Sequence, residues 1–351
     1  MRAPRIMILG DSLASGMQDD YTWRWRLGEH YRRTDTAAEF VGPYSGTFSM
    51  YEDPVLLALV EGRSAPTGVE AANPMTGPYR DGTFAGRHCA RPGWTAHAAR
   101  GAVRDVVAAE QPDFLLIQLG FNDLAMVGPP EQALRDLGAV VSEARAAAPE
   151  VTVLVANVAG TSSWGNAWFR ETLKDYNAKL PSALAAWSTP RSRVALVDVR
   201  SGFDPASDTY DAIHPNPGGE LVMAAAFAEV LREFGVGRRP WSAPHDRPRD
   251  LPLTEPALAA TPSRGGSVQL RWSRVRGASA YRVAMRDITL GERRALGPLP
   301  VLGDHWRARG LAPGHVYEFD VTPARGERLG RRSKPVRVLA GPSAPRPPRA
   351  R

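Results

Sequence analysis

The sequence predicts an α/β chain: a three-layer α/β/α domain built on a parallel sheet, followed by a small C-terminal β-sandwich. Three observations carry this. Short, fully apolar runs alternate with helix-spaced segments over residues 1–237 of the 351, and such alternation implies a parallel sheet covered on both faces. Prolines then recur every four residues at Pro240, Pro244, Pro248, Pro252 and Pro256, which favours an extended, semi-rigid linker. Beyond it apolar residues alternate with period two, as half-buried antiparallel strands require. The expected divisions are an α/β domain at 1–237, a linker at 238–255, a β-sandwich at 256–340 and a disordered Pro/Arg-rich tail at 341–351.

Ile6-Met7-Ile8-Leu9, ended by Gly10, reads as the first buried strand. Tyr21 to Arg33 has helical spacing, and Ala98 to Glu110 reads as one amphipathic helix. Phe114 to Leu119 is a second buried strand, Glu131 to Ala148 a helix stopped by Pro149, and Val151 to Asn157 a third strand. A helix follows over Phe169 to Trp187 with Pro181 inside it, then a fourth strand at Val194 to Val199. The last helix starts at Pro217 and runs to Phe234, with proline in its first turn and Gly235 at its end. One stretch breaks the rhythm: Pro43 to Pro92 is Gly/Pro-rich and scattered with Tyr44, Phe48, Tyr51, Tyr79 and Phe84. A connection of that length reads as a lid or pocket wall. In the C-terminal part the strands expected are those of Val268/Leu270/Trp272, Tyr281/Val283/Met285, Tyr317/Phe319/Val321 and Val336/Val338.

Composition bounds the function. With 43% hydrophobic and 23% charged residues the chain can build a real core. A single cysteine, Cys89, excludes an internal disulfide framework and a zinc knuckle of paired cysteines. The longest obvious apolar run, Leu221 to Ala228, falls far short of the ~18 residues of a membrane helix. Met1-Arg2-Ala3-Pro4-Arg5 passes straight into the first strand without an export leader. The expected location is therefore cytoplasmic, or outside the cell if a leader has been removed. Residues 238–351 hold 23 Lys/Arg against 9 Asp/Glu, a net of +14, leaving −7 for residues 1–237. Such a split suggests docking of the basic part on the acidic part, an acidic partner, or simply a solvated arginine-rich surface. No recognition motif or aromatic platform accompanies the arginines, so nucleic acid is not an expected partner.

A serine can act as a nucleophile only where a base removes its proton, a third group orients the base, and donors stabilise the oxyanion. Open α/β sheets hold such groups at the carboxyl ends of their strands. Gly10-Asp11-Ser12-Leu13 leaves the first strand, where Ser12 is offered either as a nucleophile or as a plain helix cap. Gly120-Phe121-Asn122-Asp123 leaves the second, and the Asn122 amide is a neutral donor in what is otherwise an ordinary loop. Asp211-Ala212-Ile213-His214 precedes the last helix; its spacing lets one short turn join a carboxylate to an imidazole. Arg91-Pro92-Gly93-Trp94 ends the long loop, and Gly93 can present a backbone N–H. No second histidine has a spacing that makes a metal site with His214.

These four elements, in this order, resemble the four blocks of the SGNH, or GDSL-type, hydrolase family, over residues 4–235. The resemblance implies a flavodoxin-like α/β/α fold, with Ser12 as nucleophile, His214 as general base and Asp211 orienting it. It further implies an oxyanion hole made of the Ser12 and Gly93 backbone N–H groups and the Asn122 side chain, and no metal or organic cofactor. The long segment before Gly93 departs from the family pattern. The C-terminal part resembles a fibronectin type III module, through the Trp272 strand, the Tyr281-Arg282-Val283 strand and Leu311-Ala312-Pro313-Gly314-His315-Val316-Tyr317, with Tyr317 as corner tyrosine. The expected activity is hydrolysis of a carboxylic ester or thioester on a small molecule or carbohydrate. The alternatives are acyl transfer to a sugar or metabolite hydroxyl through the same acyl-enzyme, and a non-catalytic binding protein.

Overall fold

The computed structural model describes residues 2–61, 63, 64, 66, 72–243, 249–263, 265–297 and 300–341. The expected tail beyond Gly341 and the Pro244–Pro248 part of the expected linker lie outside the described residues. The chain forms two compact units, Met1–Ser49 with Pro74–Asp250, and Met50–Asn73 with Leu251–Arg351.

The first unit holds a six-stranded, all-parallel sheet: β1 (Arg5–Gly10), β2 (Glu39–Val41), β3 (Cys89–Ala90), β4 (Phe114–Gln118), β5 (Thr152–Ala156) and β6 (Val194–Val197). The order is β2-β1-β4-β5-β6, with β3 also pairing with β1. The two extra strands, β2 and β3, have three and two residues, too few to show a hydrophobic period. The strand residues divide by parity, as the pleat demands. Met7, Leu9, Leu115, Ile117, Val153 and Val155 pack against α4 (Ala96–Ala99), α5 (Val103–Glu110), α6 (Pro130–Ala147) and α7 (Ala167–Trp187). Ile6, Ile8, Leu116, Leu154 and Ala156 pack against α2 (Thr22–Arg33) and α8 (Pro217–Glu233). On that second face Trp23 stacks on Phe227 at 4.5 Å and 5°, a pairing worth about 0.5–1.5 kcal/mol beyond its burial.

Two expectations need correction here. The single helix expected at Ala98–Glu110 is two, α4 and α5, separated by the turn Arg100–Ala102. Side chains set α4's start: Thr95 Oγ1 accepts from Ala98 N–H, while Asp123 takes the N–H groups of Ala96 and His97. Gly101 sits in the turn, where glycine is a poor helix former. The division at 237/238 is also displaced. Residues 238–243, 249 and 250 remain with the first unit: Trp241 N–H donates to Glu229 Oε1 at 2.6 Å, and Tyr210 donates to Asp250 Oδ1 at 2.9 Å.

The second unit consists of two antiparallel sheets. One has the order β10-β9-β12-β13 with β14 on β12, the other β11-β8-β7. Their strands are β7 (Leu258–Ser263), β8 (Ser267–Trp272), β9 (Ala280–Asp287), β10 (Ala295–Leu296), β11 (His305–Ala308), β12 (Val316–Arg325), β13 (Arg328–Leu329) and β14 (Val336–Leu339). Between β8 and β9, Trp272 and Tyr281 bring their rings to 5.2 Å. The stretch Pro43–Pro92, expected to be one lid or wall of the α/β domain, is split instead. Met50–Asn73, with its helix α3 (Pro54–Glu61), belongs to the β-rich unit. Its Tyr51 hydroxyl lies 2.9 Å from that of Tyr281, and the Arg274 guanidinium lies over the Tyr51 ring at 4.3 Å. Such long-range contacts leave no local pattern in sequence.

Candidate active site

Strand order reverses between β1 and β4, and the crevice outside the carboxyl ends of strands at such a switch point is where open α/β sheets hold ligands. From β1 the chain enters α1 (Ser12–Ser15) at once. Gly10 makes this possible, since a Cβ there would sit 2.5 Å from Ala14 Cβ. Asp11 caps the helix by accepting from Leu13 N–H at 2.9 Å. Ser12 thereby becomes the first helical residue, and its N–H, one of a helix's orphan donors, has no acceptor among the described residues.

His214 Nε2 lies 3.0 Å from Ser12 Oγ, and His214 Nδ1 lies 2.8 Å from Asp211 Oδ2. The second carboxylate oxygen, Oδ1, accepts from His214 N–H at 2.8 Å and from Ile213 N–H at 3.2 Å. With an ionised carboxylate at Nδ1, that nitrogen carries the proton and Nε2 is left to accept from the serine. Partial burial works to raise the Asp211 carboxyl, but the His214 ring and the two backbone donors outweigh it and hold the group below the usual carboxylate range. The turn closes through Ala212 at φ +72°, a left-handed conformation uncommon outside glycine. Below it, Asn216 Oδ1 caps α8 at Gly218 and Gly219, and its amide holds the carbonyls of Ser207 and Thr209.

The two remaining blocks reach the same end of the sheet. Arg91 N–H donates to Gly10 O at 3.0 Å, which ties the turn Arg91–Trp94 to the end of β1. Within that turn Gly93 has φ +75°, and its N–H also lacks an acceptor among the described residues. Asn122 Nδ2 donates to Trp94 O at 3.0 Å and faces Asp11 Oδ2 at 3.4 Å. The structure therefore joins Ser12, His214 and Asp211 in one hydrogen-bonded line and links Asn122 and the Gly93 turn to Asp11 and Gly10, just before Ser12. Cys89, the lone thiol, is buried, and burial pushes it up to about 12. Among the described residues no three His, Cys, Asp or Glu side chains gather in a way that would hold a metal ion.

Two acids inside the quoted motifs have roles that the sequence reading did not assign. Asp11 is 1% exposed and contacts both the helix that begins at Ser12 and Asn122. Asp123 is fully buried and fixes α4, just after the Gly93 turn, to the chain just after Asn122. The signal was their position beside Ser12 and Asn122; their partners are set only by folding.

Comparison with known proteins gives the likeness of this domain. The model of the GDSL-like lipase/acylhydrolase family matches residues 59–221, a span that includes Gly93, Asn122, Asp211 and His214 and leaves Ser12 outside. Over that span the chain is similar to lipases and acylhydrolases of the GDSL-like type. A multidomain esterase of Ruminococcus flavefaciens is 24% identical over 242 residues, 66% of this chain, and the chain spans only 28% of that relative's length. A carbohydrate esterase family 3 structure from Talaromyces cellulolyticus shares the fold with a TM-score of 0.51 and 23% identity, covering 66% of this chain and 97% of its own. An acetyl esterase, solved as a mutant with an acetate ion, aligns with a TM-score of 0.50 and 22% identity over the same shares. Among the described residues no helix is long and apolar enough to cross a membrane.

Proposed function

We propose that the α/β unit hydrolyses carboxylic esters through an acyl-enzyme on Ser12. One observation carries the reading: the unbroken line from Asp211 Oδ2 through the His214 ring to Ser12 Oγ, at 2.8 and 3.0 Å. His214 takes the hydroxyl proton at Nε2 as Ser12 Oγ attacks the ester carbonyl. The tetrahedral oxyanion is received by the N–H groups of Ser12 and Gly93, which lack an acceptor among the described residues, and by Asn122 Nδ2 as it gives up its long contact with Asp11. On collapse the C–O bond to the alcohol breaks and His214 returns the proton to the departing oxygen. Water then adds to the acyl carbonyl, giving its proton to the same nitrogen, and the acid leaves as Ser12 is regenerated.

The His214 side chain is 44% exposed, so water reaches the base directly. Transfer to another hydroxyl would use the same acyl-enzyme, and an open base admits either acceptor. The names of the relatives, a carbohydrate esterase and an acetyl esterase, support a short acyl group carried on a sugar as the substrate. The second unit is read as a fibronectin type III-like sandwich, a reading supported by the Tyr317 hydroxyl accepting from Ala312 N–H at 3.0 Å, in the manner of a corner tyrosine. Its proposed role is that of a spacer or stabilising module.

The test is Ser12→Ala in the full chain, assayed on acetylated sugars and simple acetates with free acid and transferred ester both quantified. Turnover should fall by about 10³-fold or more with the melting temperature unchanged. A variant that keeps about a tenth of the parent rate removes Ser12 from the mechanism.

A further inference from the structure

The α/β unit hides its large apolar side chains with four exceptions among the described residues: Met126, Val127, Trp164 and Trp168, at 63%, 38%, 43% and 69% exposed. All four lie on the segments that follow β4 and β5, the first of which also carries Asn122. The turn Asp123–Val127 packs against α7, at whose start Trp168 stands. Exposed apolar groups are ordinary when scattered and informative when gathered beside a reaction centre.

Trp164 is held, not loose. Its ring meets Phe169 edge-on at 5.1 Å and 81° and leans on Phe121 at 5.4 Å, while Phe121 and Phe169 meet at 5.5 Å. Both phenylalanines are buried, and Phe121 immediately precedes Asn122. Gly165 allows the arrangement, since at φ +78° a Cβ there would press within 2.8 Å of the Phe169 ring. The indole is thus fixed by the residue next to the oxyanion donor and keeps a large part of its surface in water. The exposed Ser162 and Ser163 stand beside it in the chain.

We propose that Trp164, assisted by Trp168, forms an aromatic platform for the sugar ring of a carbohydrate ester whose acyl group reaches Ser12. This rests on the ester-hydrolysis reading and assigns the alcohol side of the same site. The chemistry favours a pyranose over a hydrocarbon tail. A pyranose has one flat C–H face to lay on an indole, and its hydroxyl groups keep their water or meet neighbouring serines. A hydrocarbon tail gains by being enclosed all round, which an open ring does not do. Because the ring is already immobilised by Phe121 and Phe169, little ordering entropy opposes binding.

The experiment compares Trp164→Ala, Trp164→Leu and Trp168→Ala with the parent, in the full chain, on acetylated pentose and hexose oligosaccharides and on ethyl acetate, which share an acyl group. Both Trp164 variants should raise KM for the sugar ester about tenfold and shift KM for ethyl acetate far less. Trp168→Ala, at the more exposed position, should show a smaller rise of the same selectivity and serves if a Trp164 variant does not fold. Equal losses on both esters, or a Trp164→Leu variant that behaves like the parent, overturn the platform. So does an effect that grows with acyl length in a series of ethyl esters. Calorimetric titration of pentose and hexose tetrasaccharides separates this proposal from the one beneath it. Binding that is present in the parent and lost in Trp164→Ala supports the platform even if no ester is cleaved. No binding to the parent overturns it even if ethyl acetate is turned over.

Discussion

At the residue scale, the Asp11 carboxyl is shut away from water between the helix that begins at Ser12 and Asn122. Burial, reinforced by the nearby Asp123 charge, pushes it up to about 7 against the pull of Leu13 N–H and His214. The folded chain therefore holds this proton more tightly than the unfolded chain, whose aspartates titrate near 3.9. The contribution of Asp11 to stability should fall as pH rises from about 4 to about 7 and then level off. Asp11→Asn keeps a capping side chain and has nothing to ionise. Its denaturation midpoint, followed across that range, should decline less than the parent's; parallel curves would take Asp11 out of the account. Asp211 has the opposite character, a carboxyl held low by its partners. Asp211→Asn replaces an acceptor by an amide that can present N–H to Nδ1 and so invert the imidazole tautomer. Single-turnover acylation should slow by about 10³- to 10⁴-fold, with little change in KM.

At the scale of elements, the helix layer beneath His214 is fixed by charge as well as by packing. Glu220 in α8 takes Arg26 Nε and Nη2 at 3.2 and 3.0 Å and Thr22 N–H at 2.8 Å, with both side chains of the ion pair about 5% exposed. Glu220→Gln leaves the guanidinium buried without a counter-charge, and chemical denaturation should show a loss of about 3–5 kcal/mol. The double variant Arg26→Met/Glu220→Leu should recover much of it, because neither charge then remains buried. The sequence was legible at this scale wherever length and period were sufficient. Apolar runs marked β1, β4, β5 and β6, and proline or glycine marked the ends of α6 and α8. It was not legible for β2 and β3, which are too short to alternate and exist because β1 offers them an edge. Nor was the break between α4 and α5 visible, because one of the caps that set α4 comes from Asp123, far along the chain. The site residues Ser12, Gly93, Asn122, Asp211 and His214 stood out because each follows a strand or precedes a helix. The distances that make them chemistry come only from the fold.

At the scale of the whole molecule, the division of the chain governs how it can be cut. A fragment ending at Asp250 keeps Met50–Asn73 but lacks Tyr281 and Arg274, the partners of Tyr51. Limited proteolysis with mass-spectrometric readout should find cleavage within 50–73 well ahead of the rest of that fragment, and slower cleavage there in the full chain. Equal protection in both would mean that the segment holds itself. The charge contrast and the proline spacing drew the eye to a boundary near 238–255, but neither could reveal that a piece of the second unit lies two hundred residues upstream.

That interleaving bears on how the chain is made. Met50–Asn73 leaves the ribosome early and must wait for Leu251 and the strands beyond it before its own packing partners exist, a delay of roughly 10 to 35 s at about 5–20 residues per second. Throughout that interval Tyr51 lacks the Tyr281 and Arg274 partners it has in the finished chain, so the packing of this early segment is completed only after the chain beyond Leu251 has emerged.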